Sequence, residues 1–305
     1  MPIFFLISGY LIYPKLTQNP YQTAASYGLP LMLIWLMWSI IYLAVPFNLA
    51  VVMEHGYLAE REGYIGYLLQ TPINTLFEGG MVHLWYIPSL ALSVLIISWF
   101  ANNKLFQLLL PVAAIVYVYG LIAGSYQVIT DVEAPIFTRN GPFFALLMVA
   151  IGFEVRRNDW RMGSRPAVAL ALTGMMFHFT EAYFLHQKGH EFFTNDYLIG
   201  TVPLSVGLLF WLISNPNLGK HNYWHTLAKL TLPVYVCHIL VAIIANNIAG
   251  FAGLSGPLRD GVVFSFTLVG SYILAYTIEL TPLSCRNLRQ LGSTTLKKLE
   301  YQSNS

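Results

Sequence analysis

The feature that constrains this sequence most is a series of nine apolar stretches that are long enough, or nearly long enough, to cross a lipid bilayer. A membrane-spanning helix needs about 20 mainly apolar residues and must satisfy its backbone polar groups internally. The stretches cover approximately 2–14, 28–47, 84–100, 105–123, 141–155, 166–186, 197–214, 232–250 and 261–281. They predict an all-α fold, a polytopic transmembrane helix bundle of about nine spans.

The composition excludes an ordinary soluble domain. Charged residues make up 10% of the chain, whereas soluble proteins carry about 25%. Two cysteines, Cys237 and Cys285, lie in an apolar stretch and in a basic tail. This placement predicts two free thiols and no disulfide.

The basic residues predict the orientation of the helices, because lysine and arginine are enriched in cytoplasmic loops. If the loop Arg156–Arg165 is cytoplasmic, alternation places twelve of the sixteen basic residues inside and four outside. The four outer residues are Arg61, Arg139, Lys188 and Arg259. This pattern predicts one membrane domain over 1–281 and a basic cytoplasmic tail over 282–305. The same alternation leaves Met1 outside, and we expect one further helix before it, which would make ten spans.

Several ionisable residues fall inside or beside the spans, where such groups are costly and often functional. They are His83, Arg139, His178, Glu181, His238 and Glu279. Each also has a structural interpretation: a histidine near a helix end can be an interfacial hydrogen-bonding residue, and the glutamates can be paired structural groups. The Ser8–Gly9 pair favours close helix packing over a nucleophile.

Motifs of soluble enzymes are absent from the sequence. It contains no G-x-S-x-G, no Walker A sequence, no H-E-x-x-H and no C-x-x-C, so an ATP-driven pump is not expected. The residues alone leave two classes open, a membrane-embedded transferase and a secondary transporter.

Four segments resemble the membrane acyltransferase-3 family, in the family's order. PIFFLISGYLIYPKL resembles its F-F-x-x-S-G-[FY]-L segment, and HLWYIPSLAL (83–92) its H-x-W segment. TRNGPFFALLMVAIGF (138–153) resembles its R-N-G-x-F-F segment with a later glycine. LAKLTLPVYVCHILV (227–241) resembles its S-x-x-[IV]-Y-x-x-H segment, with Leu232 and Pro233 where a Ser-Phe pair is common.

The resemblance implies a ten-helix domain that moves an acyl group, often acetyl from cytoplasmic acetyl-CoA, to a hydroxyl group of an envelope glycan or lipid-linked sugar. It implies the short form of the family, similar to the O-acetyltransferases of surface polysaccharides, in the bacterial inner (plasma) membrane. The expected partners are the bilayer and the acceptor, with no metal and no nucleic acid.

Two departures from the family pattern affect the expected site. The family's first helix, with the histidine regarded as catalytic, is expected before Met1, and the basic cluster after the S-G-[FY]-L motif is reduced to Lys15. Within this sequence we expect His238 near the thioester path, reached from the cytoplasm, and His83 and Arg139 at the outer face. Arg139 could orient a phosphate or sugar hydroxyl. The alternatives are a glycan or acyl exporter or flippase without chemistry, and an inactive remnant.

Overall fold

The computed structural model describes residues 2–281, 284, 285, 287, 288 and 290, so most of the predicted tail 282–305 lies outside the described residues. The described part consists of helices joined by loops and contains no strand. The α-helices are α1 Pro2–Leu16, α2 Pro20–Ala44, α3 Leu49–His55, α4 Tyr57–Leu69, α5 Pro72–Glu78, α6 Tyr86–Asn102, α7 Phe106–Ile122, α8 Gln127–Thr130, α9 Pro142–Arg157, α10 Ser164–Gln187, α11 Thr201–Ser214, α12 Asn222–Phe251 and α13 Gly256–Glu279. A short 3-10 helix, Val82–Trp85, leads directly into α6.

Every predicted span corresponds to a helix, which confirms the all-α membrane bundle. Five helical segments are long and apolar enough to cross a membrane: α2, the 3-10 helix with α6, α10, α12 and α13. The predicted spans that correspond to α1, α7, α9 and α11 form shorter helices. Helix α9 is buried on nearly every side, as expected for a helix inside a bundle whose surroundings are other helices.

Helix α12 differs from its predicted span. The apolar stretch begins near residue 232, but the helix begins at Asn222. The intervening sequence NYWHTLAKLT is too polar for a hydropathy pattern to include, yet it contains good helix formers and continues the helix. His238 consequently lies near the middle of α12, not close to its inner end as expected.

The chain forms two compact units. The first contains the residues up to Gly28 and Trp85–Leu218, and the second contains Leu29–Leu84 and the described residues from Gly219 onward. In the first unit, α9 packs against α1, α6 and α7, and α11 packs against α10 and α1. In the second unit, α12 packs against α13, and α3–α5 form a chain of short contacting helices.

Candidate functional site

The second unit brings together His83 of the H-x-W motif and the Tyr235 and His238 side chains of the Y-x-x-H motif. The ring centroids of His83 and His238 are 5.1 Å apart in an edge-to-face arrangement. Tyr235 donates its hydroxyl hydrogen to the backbone carbonyl of His83, and its ring lies 5.5 Å from the His83 ring. The two histidines that were expected at opposite ends of the bundle are therefore neighbours.

A pair of glycines brings the chain before His83 against α2. Gly79 has a φ of 64°, a left-handed conformation that favours glycine. A Cβ atom at Gly80 would lie 2.2 Å from the Ser39 backbone oxygen, so a side chain there would separate the two segments. Tyr64 donates to the Gly80 carbonyl at 2.9 Å. These contacts set the point at which the 3-10 helix begins.

The tautomers of both histidines follow from backbone carbonyl groups of α12. His83 Nε2 lies 3.4 Å from the Val236 oxygen, and His238 Nδ1 lies 2.7 Å from the Tyr235 oxygen. A carbonyl oxygen can only accept, so each of these nitrogens is the donor. The lone pairs of the neutral rings are then on Nδ1 of His83 and Nε2 of His238.

Two buried polar atoms near these rings have no hydrogen-bond partner among the described residues: Nδ1 of His83 and Nε1 of Trp38. His83 is 9% exposed and Trp38 2%. Trp38 lies one turn before Tyr42 on α2, and the Tyr42 ring is 5.3 Å from that of His83. Buried polar groups are ordinarily paired. Nδ1 of His83 is an acceptor and Nε1 of Trp38 is a donor, so each suits a hydroxyl group.

A buried ion pair secures the end of α2 in the same unit. Arg61 Nε and Nη2 donate to the two Glu60 oxygens at 2.5 and 2.7 Å, and both side chains are less than 10% exposed. Arg61 Nη1 also donates to the Tyr42 carbonyl at 3.1 Å. Burial raises the pKa of Glu60, but Arg61 and the backbone N–H groups of Phe47 and Asn48 outweigh it, so that the pKa lies below its usual value. Arg61 therefore satisfies a carbonyl group that the helix end would leave unpaired.

The other two motif segments meet in the first unit. A Cβ atom at Gly9 would lie 2.0 Å from the Val149 oxygen, and one at Gly152 would lie 1.9 Å from the Leu6 oxygen. Helices α1 and α9 therefore touch backbone to backbone through these glycines. Ser8 accepts a hydrogen bond from Tyr27 at 3.4 Å. These contacts confirm the packing interpretation of the Ser8–Gly9 pair.

Arg139 also lies in the first unit, at the start of the segment that leads into α9. Its Nη1 donates to Asp196 at 2.9 Å, and the two side chains are 24% and 20% exposed. The guanidinium carbon lies 4.6 Å from the Phe137 ring centroid. The partly open guanidinium is thus held in place by a carboxylate and an aromatic face.

The glutamates that had a structural alternative form structural contacts. Glu181 accepts from the backbone N–H groups of Ile199 and Gly200 at 3.0 and 3.1 Å, at the start of α11, and from the hydroxyl of Tyr126. A buried carboxylate at a helix N-terminus satisfies donors that would otherwise be unpaired. Glu279 accepts from the Cys285 N–H at 2.8 Å. His178 Nδ1 lies 3.1 Å from the Thr201 hydroxyl.

The basic segment Arg156–Arg165, which runs from the end of α9 to the start of α10, carries two carboxylate-paired arginines. Arg157 pairs with Glu154 at 2.9 Å, and Arg161 pairs with Asp159 at 2.5 Å. Arg156 donates to the Tyr10 hydroxyl at 2.9 Å, and Arg165 is exposed. Within the described residues, no cluster of three or more His, Cys, Asp and Glu side chains could hold a metal ion.

Sequence reasoning missed Tyr42 and Arg61. Tyr42 stands near the end of an apolar stretch, where a tyrosine ordinarily indicates the membrane interface. Arg61 lies in the polar sequence YLAEREGY, which is typical of a solvated helix. The sequence around Tyr42 does not indicate that its ring is buried beside His83. The sequence around Arg61 does not indicate that its side chain is buried at the end of α2.

Comparison with known proteins was consistent with the motif pattern. A family model described as an acyltransferase domain matches residues 1–276. An amino-acid racemase of Enterococcus faecalis is 25% identical over 301 residues, which cover 90% of this chain and 39% of the relative. A serine/alanine racemase of Enterococcus gallinarum is 26% identical over 259 residues, covering 78% and 34%. The chain therefore spans less than half the length of these relatives.

No solved structure matches the chain. The family model, in contrast, extends from the S-G-Y-L segment in α1 past the Y-x-x-H segment in α12 and includes all four motif segments. On that match, the chain belongs to the acyltransferase-3 family.

Proposed function

We propose that this chain transfers an acyl group, acetyl in the first instance, from acyl-CoA on the cytoplasmic side to a hydroxyl group of an envelope glycan or lipid-linked sugar. Family membership supports acyl transfer in general. The observation that carries the proposal is the buried Nδ1 of His83, a ring nitrogen with a lone pair and no partner among the described residues. A histidine in that state suits the role of a general base, and the proposal assigns this role to His83 and not to the histidine that the family resemblance places before Met1.

The chemistry needs one proton transfer and one exchange of bonds. His83 Nδ1 takes the proton of the acceptor hydroxyl, and the hydroxyl oxygen forms a bond to the thioester carbonyl carbon. The carbon–sulfur bond breaks, and the CoA thiolate receives the proton from His83. His238, whose ring lies 5.1 Å away, contributes a second polar group beside the reacting atoms. Trp38 Nε1, whose ring lies 5.9 Å from that of Tyr42, is a further buried donor in the same unit.

The first unit supports the two substrates in different ways. Arg139, one quarter exposed and steadied by Asp196, can donate to a phosphate or a sugar hydroxyl of the acceptor. Arg156 and Arg165 are exposed in the basic loop, and their charge favours the phosphates of CoA. The inside placement of this loop and of the C-terminus is part of the proposal, and reporter fusions at 160 and after 281 test it.

The proposal is tested with the purified chain in lipid vesicles. The vesicles receive acetyl-CoA labelled in the acetyl group and extracted envelope glycans, and both CoA release and labelled ester are measured. His83→Gln should lower the rate by about 100-fold or more, since general base catalysis contributes about 10²–10⁴-fold. His238→Gln and Arg139→Gln should also lose ester formation.

His178→Gln is the matched control, because His178 is a partly buried histidine of the first unit that contacts Thr201. It should keep most of the activity. Full ester formation by both His83→Gln and His238→Gln would remove this cluster from the reaction.

The rival function is export or flipping of a glycan or acyl unit without chemistry. Polytopic helices with buried polar residues fit it equally well. Thioester cleavage distinguishes the two, because an exporter moves labelled lipid-linked sugar across the vesicle without releasing CoA. An inactive remnant would neither release CoA nor move the lipid-linked sugar. Since two relatives are named amino-acid racemases, serine is included as a small hydroxyl acceptor in the same assay.

A further inference from the structure

The Val236 carbonyl oxygen in α12 accepts two side-chain hydrogen bonds. Tyr42 donates its hydroxyl hydrogen at 2.9 Å, and His83 Nε2 donates at 3.4 Å. The carbonyl group is fully buried with its residue. Water therefore does not compete with Tyr42 and His83 for the Val236 oxygen.

A second hydrogen bond, which the Tyr42 oxygen accepts, determines the direction of the Tyr42 O–H bond. The backbone N–H of Leu240 donates to the Tyr42 oxygen at 3.1 Å, so the hydroxyl hydrogen is available for Val236 alone. Val236 and Leu240 are four residues apart, the two positions whose backbone groups bond to each other in a regular α-helix. The Tyr42 hydroxyl thus mediates between them. Helix α12 is continuous through this turn, so the Tyr42 hydroxyl binds to the side of an intact helix.

Further contacts hold Tyr42 in this position. Tyr42 is 0% exposed, and its own carbonyl accepts from Arg61 at 3.1 Å. Its ring packs against Trp38 on one side, at 5.9 Å between centroids, and against His83, at 5.3 Å. The hydroxyl is consequently a rigid part of the second unit.

We propose that Tyr42 is a positioning residue for His83. Its hydroxyl shares the Val236 carbonyl with His83 Nε2, and its ring packs edge-to-face against the imidazole. Together these contacts hold the ring so that the lone pair of Nδ1 is directed toward the acceptor hydroxyl. This inference rests on the proposed function, since it assigns Nδ1 the role of base. Tyr42 does not touch the reacting atoms. Its effect passes entirely through the orientation of the imidazole ring.

Removal of the Tyr42 oxygen should release that alignment. In Tyr42→Phe the Val236 carbonyl loses its Tyr42 donor, and the Leu240 N–H loses its bond to the Tyr42 oxygen. The Val236 carbonyl can then shift relative to His83 Nε2. The ring would lose its orienting bond, as when a catalytic histidine loses its partner.

The test combines kinetics with a spectroscopic measurement. In Tyr42→Phe we expect kcat for acyl transfer to fall by about tenfold to a hundredfold, the usual effect of losing an orienting partner, while KM for acyl-CoA stays within about twofold. The protein is also labelled with ¹⁵N-histidine, and the His83 signals are assigned among the eight histidines by their absence in His83→Gln. In Tyr42→Phe the His83 Nε2 signal should lose its hydrogen-bonded position.

Tyr117→Phe is the matched control. Tyr117 is 3% exposed and donates to the Leu198 carbonyl at 2.7 Å in the first unit, so it loses an equivalent buried hydrogen bond. It should leave both the His83 signals and the ratio of kcat to KM unchanged.

The outcomes separate this inference from the proposed function. If the His83 signals of Tyr42→Phe match the native protein, the positioning role is overturned whatever the turnover. If they move but kcat equals that of Tyr117→Phe, the orientation of His83 does not serve catalysis, and the inference is overturned as well. Native turnover by His83→Gln would instead overturn the proposed function. Because that result comes from His83→Gln and not from Tyr42→Phe, the two failures can be told apart.

Discussion

Replacing Arg61 by methionine should destabilise the second unit more than most single substitutions would. The side chains of Arg61 and Glu60 are 5% and 7% exposed, so the variant leaves a buried carboxylate without its cation. Removal of one partner of a buried ion pair costs about 3–5 kcal/mol. Methionine retains the apolar part of the side chain, so the loss is electrostatic. The Tyr42 carbonyl also loses a donor.

Two buried thiols provide the assay. Cys237 and Cys285 are both buried thiols outside any disulfide, and Cys237 lies in α12 of the same unit as Arg61. A thiol-reactive fluorescent dye in detergent therefore reports unfolding of this unit on heating. At about 2–4 °C per kcal/mol, the midpoint of Arg61→Met should fall by at least about 6 °C. Arg259→Met, at an exposed position, should stay within about 0.5 kcal/mol of the native protein.

The pH dependence follows from the lowered pKa of Glu60. In the native protein the pair contributes its full stability above the pKa of an unfolded glutamate, and this contribution is lost as the pH falls through the lower folded pKa. In Arg61→Met the folded carboxyl binds a proton at higher pH than in the native protein, because its cation is gone. The difference in free energy of unfolding between the two proteins should therefore be largest at neutral pH and shrink as the pH is lowered.

A double variant tests the reasoning directly. Glu60→Gln with Arg61→Met leaves no buried charge, and the glutamine oxygen can still accept from the Phe47 N–H, which now donates to Glu60 at 2.9 Å. Its loss of stability should be smaller than the sum of the two single variants by about 0.5–3 kcal/mol. Additive losses, or an Arg61→Met midpoint equal to that of Arg259→Met, would refute the argument that the pair is a coupled, buried unit.

Further predictions concern helix packing and capping. Gly9→Ala should lower the thermal midpoint measurably, because its Cβ would lie 2.0 Å from the Val149 oxygen; Gly63→Ala, with no atom within 4 Å, should be neutral or stabilise by about 0.4–1 kcal/mol. Equal midpoints for the two variants would contradict the contact between α1 and α9. Glu181→Ala should cost about 1–3 kcal/mol for each buried donor it leaves unpaired, whereas Glu62→Ala, at an exposed site of α4, should change little; both are read from intrinsic tryptophan fluorescence on heating. A native-like midpoint for Glu181→Ala would show that water replaces the carboxylate.

The four motif segments illustrate how far local sequence can predict a site. Their order and spacing indicated the family, and the residues His83 and His238 were identified from their polarity within apolar surroundings. That the segments meet in pairs was not predictable, because each is separated from its partner by more than a hundred residues of chain. Tertiary packing decides those contacts through small residues such as Gly9 and through the hydroxyl of Tyr235.

That this chain is a membrane helix bundle follows from its apolar stretches alone. The length and apolarity of a helix are local properties, and a helix satisfies its backbone polar groups within its own segment, which lipid requires. Burial, in contrast, depends on neighbours that are distant in the chain. Only the tertiary structure placed the Tyr42 hydroxyl between Val236 and Leu240. It also buried Arg61 beside Glu60. Both arrangements depend on how distant segments pack, and the local sequence does not encode that packing.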